Sequence, residues 1–486
     1  MVIAGSVPRI ARPEVARLHP LSASPQAGIA HLIGVCGSGM KALAEVLAGQ
    51  GWIVTGSDLR ASDATIAAFS RRGLRIHSGH QSGFVPGNAD VIVYSPAIHR
   101  ENPERQLAER LGIPQLSYSQ MLGRLMQNKI GVCIAGTHGK STTTAMTGCV
   151  LTAAELAPTV VVGAELCGWR ANGWSGEGRH FVVESCEYQR SFLDLTPHSA
   201  VILGIEPDHF DCYAHFDETI AAFAAFAQRV PAEGALLIPA GSEGARAACI
   251  AAVAPVETFG LVPEADWWAG DIRPVAAGTR YRAYYQGEYV TEIALRIPGR
   301  HNVLNSLAAV ALAYRAGAPA DVIREALAEF PGIKRRFETV GSWRGATLID
   351  DYAHHPTAVA VTLAAARERF PRRKLWCVFQ PHQVSRTTAL LGDFAATLAR
   401  ADEVLVVPVF AARENVEQEP ETVSRELASR AVDAGGRARF VAGLDHAVAT
   451  LDDELQPGDV LITMGAGDIG QVHHAFTRRL QRHHAS

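Results

Sequence analysis

The stretch Ile130-Gly-Val-Cys-Ile-Ala-Gly-Thr-His-Gly-Lys-Ser-Thr-Thr-Thr144 passes from an apolar run through a glycine turn into a helix-forming segment. Strand, glycine turn, Gly139-Lys140-Ser141, helix is the grammar of a phosphate-binding loop. Glycines let backbone N–H groups approach phosphate oxygens, and the positive end of the following helix favours the anion. Lys140 can place a point charge on β- and γ-phosphates, and Ser141 can offer a hydroxyl to Mg²⁺. The strict spacing would need glycine at 134, where Ile134 stands, so the turn is tightened to Gly136-Thr137-His138-Gly139-Lys140. This segment predicts a nucleoside triphosphate, ATP, as a ligand.

Outward from this loop, strand-like and helix-like segments alternate, which implies an α/β protein with parallel sheets covered by helices. The 486 residues divide into three blocks. A Rossmann-like block at 29–128 opens with the run His31–Val35, the turn Cys36-Gly37-Ser38-Gly39 and an amphipathic helix. A P-loop, ATPase-type block at 129–333 carries buried runs at 181–184, 200–205 and 235–238, and alternating character at 267–298 that suggests a small antiparallel insert. A second Rossmann-like block at 334–486 has strands near 347–350, 375–379, 404–407 and 460–464. Residues 1–28, with four prolines and three arginines but no apolar core segment, suit a poorly ordered tail and not a signal peptide.

The net charge of −4 leaves no electrostatic footprint for nucleic acid. No apolar run is long enough to span a bilayer, so no membrane insertion is expected. Eight scattered cysteines without a C-x-x-C pair suit a reducing, cytoplasmic setting. Composition leaves a monomer and a homodimer equally open.

Polar residues gather where parallel strands end, the usual ligand edge of such sheets. Glu184 ends one run, Glu187 lies a turn further on, and His209 follows another; Glu184 and His209 are offered to Mg²⁺ beside Ser141. Asp208, His209, Asp211, Cys212 and His215 match no strong zinc spacing. In the first block the fingerprint G-x-G-x-x-G becomes Gly34-x-Cys36-x-x-Gly39, which argues against a nicotinamide cofactor. Gly37, Ser38 and Gly39 at a helix start suit a nucleotide diphosphate instead. Asp58, at the end of the second strand, suits a ribose hydroxyl or a turn cap. Asn302 and Asn305 share a helix face and can read an adenine edge, while Asn302 can equally cap the helix. Arg336 can reach a γ-phosphate, or belong to a solvated basic linker. In the third block, Asp350–Pro356 and Phe379–Thr387 follow two strands and converge on one crevice.

Taken together, these motifs resemble the Mur ligase family of ATP-dependent amide-forming enzymes. The resemblance rests on Ala135–Thr144, Ile33–Met40, Gly56–Asp58, Asn102–Glu104, Gly299–Asn305, Arg335–Phe337, Asp350–Thr357, Phe379–His382, Ser385–Thr387 and Gly465–Gly467, in order along the chain. It implies a ligase of peptidoglycan precursor synthesis that uses ATP and Mg²⁺. Within it, Phe379-Gln-Pro-His382 together with Asp350–Pro356 implies the joining of UDP-N-acetylmuramate to L-alanine. The resemblance would place Gly136, Thr137, His138, Gly139, Lys140, Ser141, Thr142, Asn302, Asn305, Arg336 and Asp351 at ATP, and Ser141, Glu184 and His209 at Mg²⁺. Gly37, Ser38, Gly39, Asp58 and Glu187 would meet the sugar-nucleotide substrate, with Tyr352, His354, His382 and Arg386 on the side of the amino acid. Three positions depart from the family pattern. Cys36 replaces a glycine, 184–192 loses two acids and gains Arg190, and Gln383 replaces an arginine that helps orient the amino acid. Competing readings are a recycling ligase that adds a ready-made peptide and a nucleotide sensor without turnover. Phe379-Gln-Pro-His382 opposes the first, and retention of Lys140, Ser141, Glu184, His209 and Arg336 opposes the second.

Overall fold

Long Val/Ile/Leu runs bury on both faces only inside parallel sheets, and the chain builds three such sheets. The computed structural model describes residues 27–485, except 170, 276, 277, 413 and 415–418. All but the last two residues of the expected N-terminal tail lie outside the described residues. The first sheet is fully parallel, in the order Arg75–Ser78, Ile53–Asp58, Ile29–Ile33, Val91–Tyr94, Gln115–Ser117. Two of its helices start on side-chain caps of this kind: Asn102 accepts from the backbone of Glu104 and Arg105, and Ser117 and Gln120 form a reciprocal capping box.

The second sheet has ten strands. Ile130–Ala135 lies between His180–Glu184 and Ser199–Ile202, parallel to both. The alternating segment forms three antiparallel strands, Trp267–Val275, Gly278–Tyr285 and Glu288–Leu295, and extends this sheet at one end. Trp267 stacks on Tyr285 with ring centroids 4.3 Å apart, and Glu257 accepts from Trp267 Nε1 at 2.9 Å and Tyr285 OH at 3.0 Å. The third sheet has six strands, with Glu338–Trp343 antiparallel at one edge and the remaining five parallel. The fold is therefore three successive α/β units. No helix among the described residues is long and apolar enough to cross a membrane.

Specific contacts fix the units to one another. Gly173 abuts the Ala42 carbonyl too closely for any side chain, and Glu45 accepts from the backbone of Asn172 and Gly173, each at 3.1 Å. Glu165 of the second unit pairs with Lys41 of the first at 3.1 Å and with Lys334 of the following linker at 2.7 Å. The linker is also tied by backbone hydrogen bonds, Lys334 N–H to Glu165 O at 2.9 Å and Cys167 N–H to Gly332 O at 3.0 Å.

Candidate active site

Ile130–Ala135 ends in a turn that only glycine enters easily: Gly136 has φ +123° and Gly139 φ +80°. A Cβ on Gly139 would strike the Asn305 side-chain oxygen, so the turn is also closely packed. No side chain caps the helix Lys140–Ala153 that follows. Its first N–H groups are therefore available to an anion. The residues fit a nucleotide phosphate.

Lys140 is folded onto its own loop. Its Nζ donates to Gly136 O at 2.5 Å and Thr137 O at 3.2 Å, and to both Glu187 oxygens at 3.0 and 2.9 Å. Burial pushes its pKa down, but the Glu187 charge outweighs this and keeps the ammonium firmly protonated. Glu187 is 2% exposed and lies 3.3 Å from His209 Nε2. Burial opposes its ionisation, and Lys140 and His209 together hold its carboxyl below the usual range. Glu187 is thus the counter-ion of the loop lysine. Just beyond it, Gln189 and Arg190 sit at φ +51° and +55°, a kink that turns the chain back.

Ser141 is buried at the helix start, and Glu184 accepts from Gly163 N–H through Oε2 at 2.7 Å. Hydroxyl, carboxylate and imidazole donors from Ser141, Glu184 and His209 suit a hard cation such as Mg²⁺, with the second Glu184 oxygen as a further donor.

Asn302 and Asn305 share one buried face of the helix Arg300–Arg315. Asn302 does not cap that helix; its amide donates to Pro298 O at 2.8 Å and its oxygen accepts from Asn305 at 3.3 Å. Thr143 of the loop helix donates to Asn305 O at 3.4 Å, so this face lies against the phosphate loop. Burial, reinforced by the charge of Arg336, pushes His301 down to about 4. The Arg336 guanidinium is 4.9 Å from the Tyr352 ring centroid. Asp351 accepts from Phe337 N–H at 2.7 Å and Ala353 N–H at 2.8 Å, fixing the linker to the third sheet.

The third unit meets the second in a buried cluster. Arg386 reaches Asp208 and also contacts His382 Nδ1 and His382 O, each at 3.2 Å. His354 and His382 face one another with ring centroids 5.7 Å apart. His354 Nδ1 is 2.8 Å from Tyr352 O, which can only accept, so Nδ1 carries the proton. Burial, and then the charge of Arg386, holds this imidazole neutral, well below its usual pKa. Gln383 starts the next short helix at φ +70°. Asp208 pairs with Arg386 across the boundary between the units, and Glu206 meets His138 of its own unit as well as Thr357 and His355 of the third.

At the first turn, Ser38 and Gly39 open the helix Ser38–Gly49 with Gly37 at its cap, and Gly39 packs against the Tyr118 ring. Asp58 accepts from Cys36 N–H and Arg60 N–H, both at 2.8 Å. It braces the turn around Cys36, whose thiol is pushed up to about 11 by burial and then by the Asp58 charge.

This architecture, three α/β units with a phosphate loop in the second and an arginine–histidine cluster delivered by the third, is that of a nucleotide-dependent ligase. Three family models match in order along the chain: Mur ligase family, catalytic domain over 29–130; Mur ligase middle domain over 134–313; and Mur ligase, glutamate ligase domain over 335–467. The chain belongs to the Mur ligase family. It is 40% identical to the UDP-N-acetylmuramate–L-alanine ligase of Desulfitobacterium hafniense over 91% of its length and 98% of that protein's. It is 42% identical to the enzyme of the same name from Acidithiobacillus ferrooxidans over 91% and 96% of the two chains. Among solved structures it resembles the UDP-N-acetylmuramate–alanine ligase of Thermotoga maritima, with TM-score 0.78 and 27% identity over 94% of this chain and 99% of that one. A murein peptide ligase from Psychrobacter arcticus, at 23% identity and TM-score 0.70, shares the fold over 93% of this chain and 98% of that one.

Proposed function

We propose that this chain is an ATP-dependent ligase that forms an amide between the lactyl carboxylate of UDP-N-acetylmuramate and the amine of L-alanine, a cytoplasmic step in peptidoglycan precursor synthesis. The observation that carries this reading is the Arg386–Asp208 pair. Asp208 is the immediate neighbour of His209, beside the phosphate loop, so the pair draws the histidine–arginine cluster of the third unit to that loop. Groups for phosphoryl transfer and for amine capture then share one crevice.

The chemistry proceeds in two steps. The carboxylate attacks the γ-phosphorus of ATP, giving an acyl phosphate and ADP. The alanine amine then attacks the acyl carbon, and the tetrahedral intermediate expels phosphate. The first step brings anion against anion, so the site must supply positive charge in a water-poor crevice. Lys140 and the loop N–H groups supply it at the phosphates, with Arg336 at the linker. Bound at Ser141, Glu184 and His209, Mg²⁺ would add charge neutralisation there. Glu187 keeps the Lys140 ammonium aimed along the loop until a phosphate competes for it. The second step needs a free amine. His354 has Nδ1–H committed to Tyr352 O and Nε2 as a lone pair on a neutral ring, so Nε2 can accept the ammonium proton. The buried Arg386 places positive charge where the amino-acid carboxylate would lie.

The test is phosphate release from Mg-ATP, UDP-N-acetylmuramate and individual amino acids, omitting one component at a time. Release that needs all three and is fastest with L-alanine supports the proposal and shows that Gln383 is tolerated. Release only with a peptide or another amino acid overturns the alanine assignment within the family. ATP binding without release under any combination overturns the ligase reading.

A further inference from the structure

One cluster of cation-ligating side chains to which the two-step chemistry gives no role bridges two units of the molecule. His138 belongs to the phosphate loop, Glu206 follows the strand Ser199–Ile202, and His355 precedes the helix Pro356–Arg369 of the third unit. One ligand atom from each lies within 4.8 Å of the other two. His138 Nε2 is 3.2 Å and His355 Nδ1 3.5 Å from the same Glu206 oxygen, Oε2. For zinc–nitrogen and zinc–oxygen bonds of about 2.0–2.2 Å, the edge of a tetrahedron is about 3.3–3.6 Å, so the two spacings to Glu206 need little adjustment and the two imidazoles need only close towards each other.

The surroundings orient the ligands. His355 Nε2 is 3.2 Å from Pro207 O, which can only accept, so the proton sits on Nε2 and Nδ1 presents its lone pair inward. A contact of 3.4 Å from Thr357 N–H is all that engages Nδ1 from its own helix, and a cation would displace it. Burial, and then the neighbouring His138, keeps His355 below its usual pKa and so neutral. Glu206 is ionised, and Thr357 Oγ1 donates to its Oε2 at 2.7 Å. His355 is buried, whereas His138 and Glu206 are about one third exposed, which gives a cation an entry path and leaves room for a water as fourth ligand.

We propose that His138, Glu206 and His355 form a transition-metal site, of which Zn²⁺ is the best-fitting occupant, across the crevice between the phosphate loop and the third unit. Two imidazoles and one carboxylate select a borderline ion over Mg²⁺, so the site is chemically distinct from the one at Ser141, Glu184 and His209. An ion there pins the third unit onto the loop. Catalysis requires that crevice to open and close, so occupancy inhibits turnover by holding it shut. The site stands whether or not the amide-forming reading does.

The test is calorimetric titration of the full chain with Zn²⁺ in the presence of millimolar Mg²⁺. Wild type should bind one equivalent that Mg²⁺ does not displace. Glu206→Gln and His355→Asn should each weaken that binding at least tenfold, while His209→Ala retains it. Equal binding by wild type and both crevice variants overturns the proposal, as does failure of wild type to bind. Where a variant does not fold, judged by circular dichroism, wild-type crystals soaked in Zn²⁺ decide. An anomalous peak among the three side chains supports the site, and a peak elsewhere or none overturns it.

Discussion

The guanidinium of Arg386 bonds through Nε and Nη2 to a single oxygen of Asp208, at 2.8 and 2.7 Å, across the boundary between the second and third units. Both side chains are almost fully withdrawn from water, with Arg386 2% and Asp208 9% exposed. Such a pair is poor evidence for net stability, because desolvation offsets attraction, yet removing one partner strands the other.

Asp208→Ala should therefore destabilise the protein by about 3 kcal/mol or more, the usual range for an orphaned buried charge. It should also raise KM for the amino acid, because Arg386 loses the anchor that aims it. Urea unfolding together with steady-state kinetics measures both. Unchanged stability would mean that water reaches Arg386, contrary to its burial.

Lys140→Met should lower kcat by at least about a thousandfold, on the scale of lost transition-state electrostatics. It should also lower Tm, because Glu187 is left ionised and buried. The double variant Lys140→Met/Glu187→Gln should recover most of the Tm and none of the kcat. Activity near wild type in either variant would remove the phosphate-loop assignment.

Gly139→Ala combines a left-handed backbone with a collision against Asn305. The expected cost is about 1–3 kcal/mol of stability from backbone strain. ATP should bind at least tenfold more weakly, because the loop can no longer approach both the phosphates and the Asn305 face. Calorimetry with ATP and a thermal melt report the two effects, and a melt unchanged from wild type would contradict the packing described.

The Glu206 carboxyl carries a pH signature. Burial alone would raise its pKa, but the hydrogen bond and charge of His138, then Thr357 and His355, bring it to about 2. A folded-state pKa below the unfolded value contributes stability above the unfolded pKa of about 4.3, and that stability is lost as pH falls towards 2. The Tm difference between wild type and Glu206→Gln should thus be largest near neutrality and shrink steadily from pH 5 to pH 3. A difference that grew on acidification would reverse the assigned sign. Exposure of the pair keeps the effect small.

The strand–loop–helix around Lys140 is legible in the sequence because every cue is local: an apolar run, two glycines and a helix start within fifteen residues. The order of blocks and the antiparallel segment at 267–295 are legible from hydrophobic period in the same way. The pairing of Glu187 with Lys140 escapes such reasoning because it joins residues 47 positions apart, which no local cue announces. Asp208, Glu206 and His355 form their contacts across the crevice only where the third unit docks on the second, a relation between segments more than 140 residues apart. The sole hint in the sequence is the density of polar residues in Glu206-Pro-Asp-His-Phe-Asp211, directly after a buried strand.

Glu165 joins Lys41, on the helix that opens at the Gly37–Gly39 turn, to Lys334, on the linker that carries the third unit. A single carboxylate is thus shared by the first unit and the linker to the third. A swing of the third unit passes first through residues 331–337 and pulls on Lys334, changing how tightly Glu165 can grip Lys41. The first and third units have no need to touch in order to feel each other's state. Glu165 thus couples the helix behind the Gly37–Gly39 turn to the linker of the third unit.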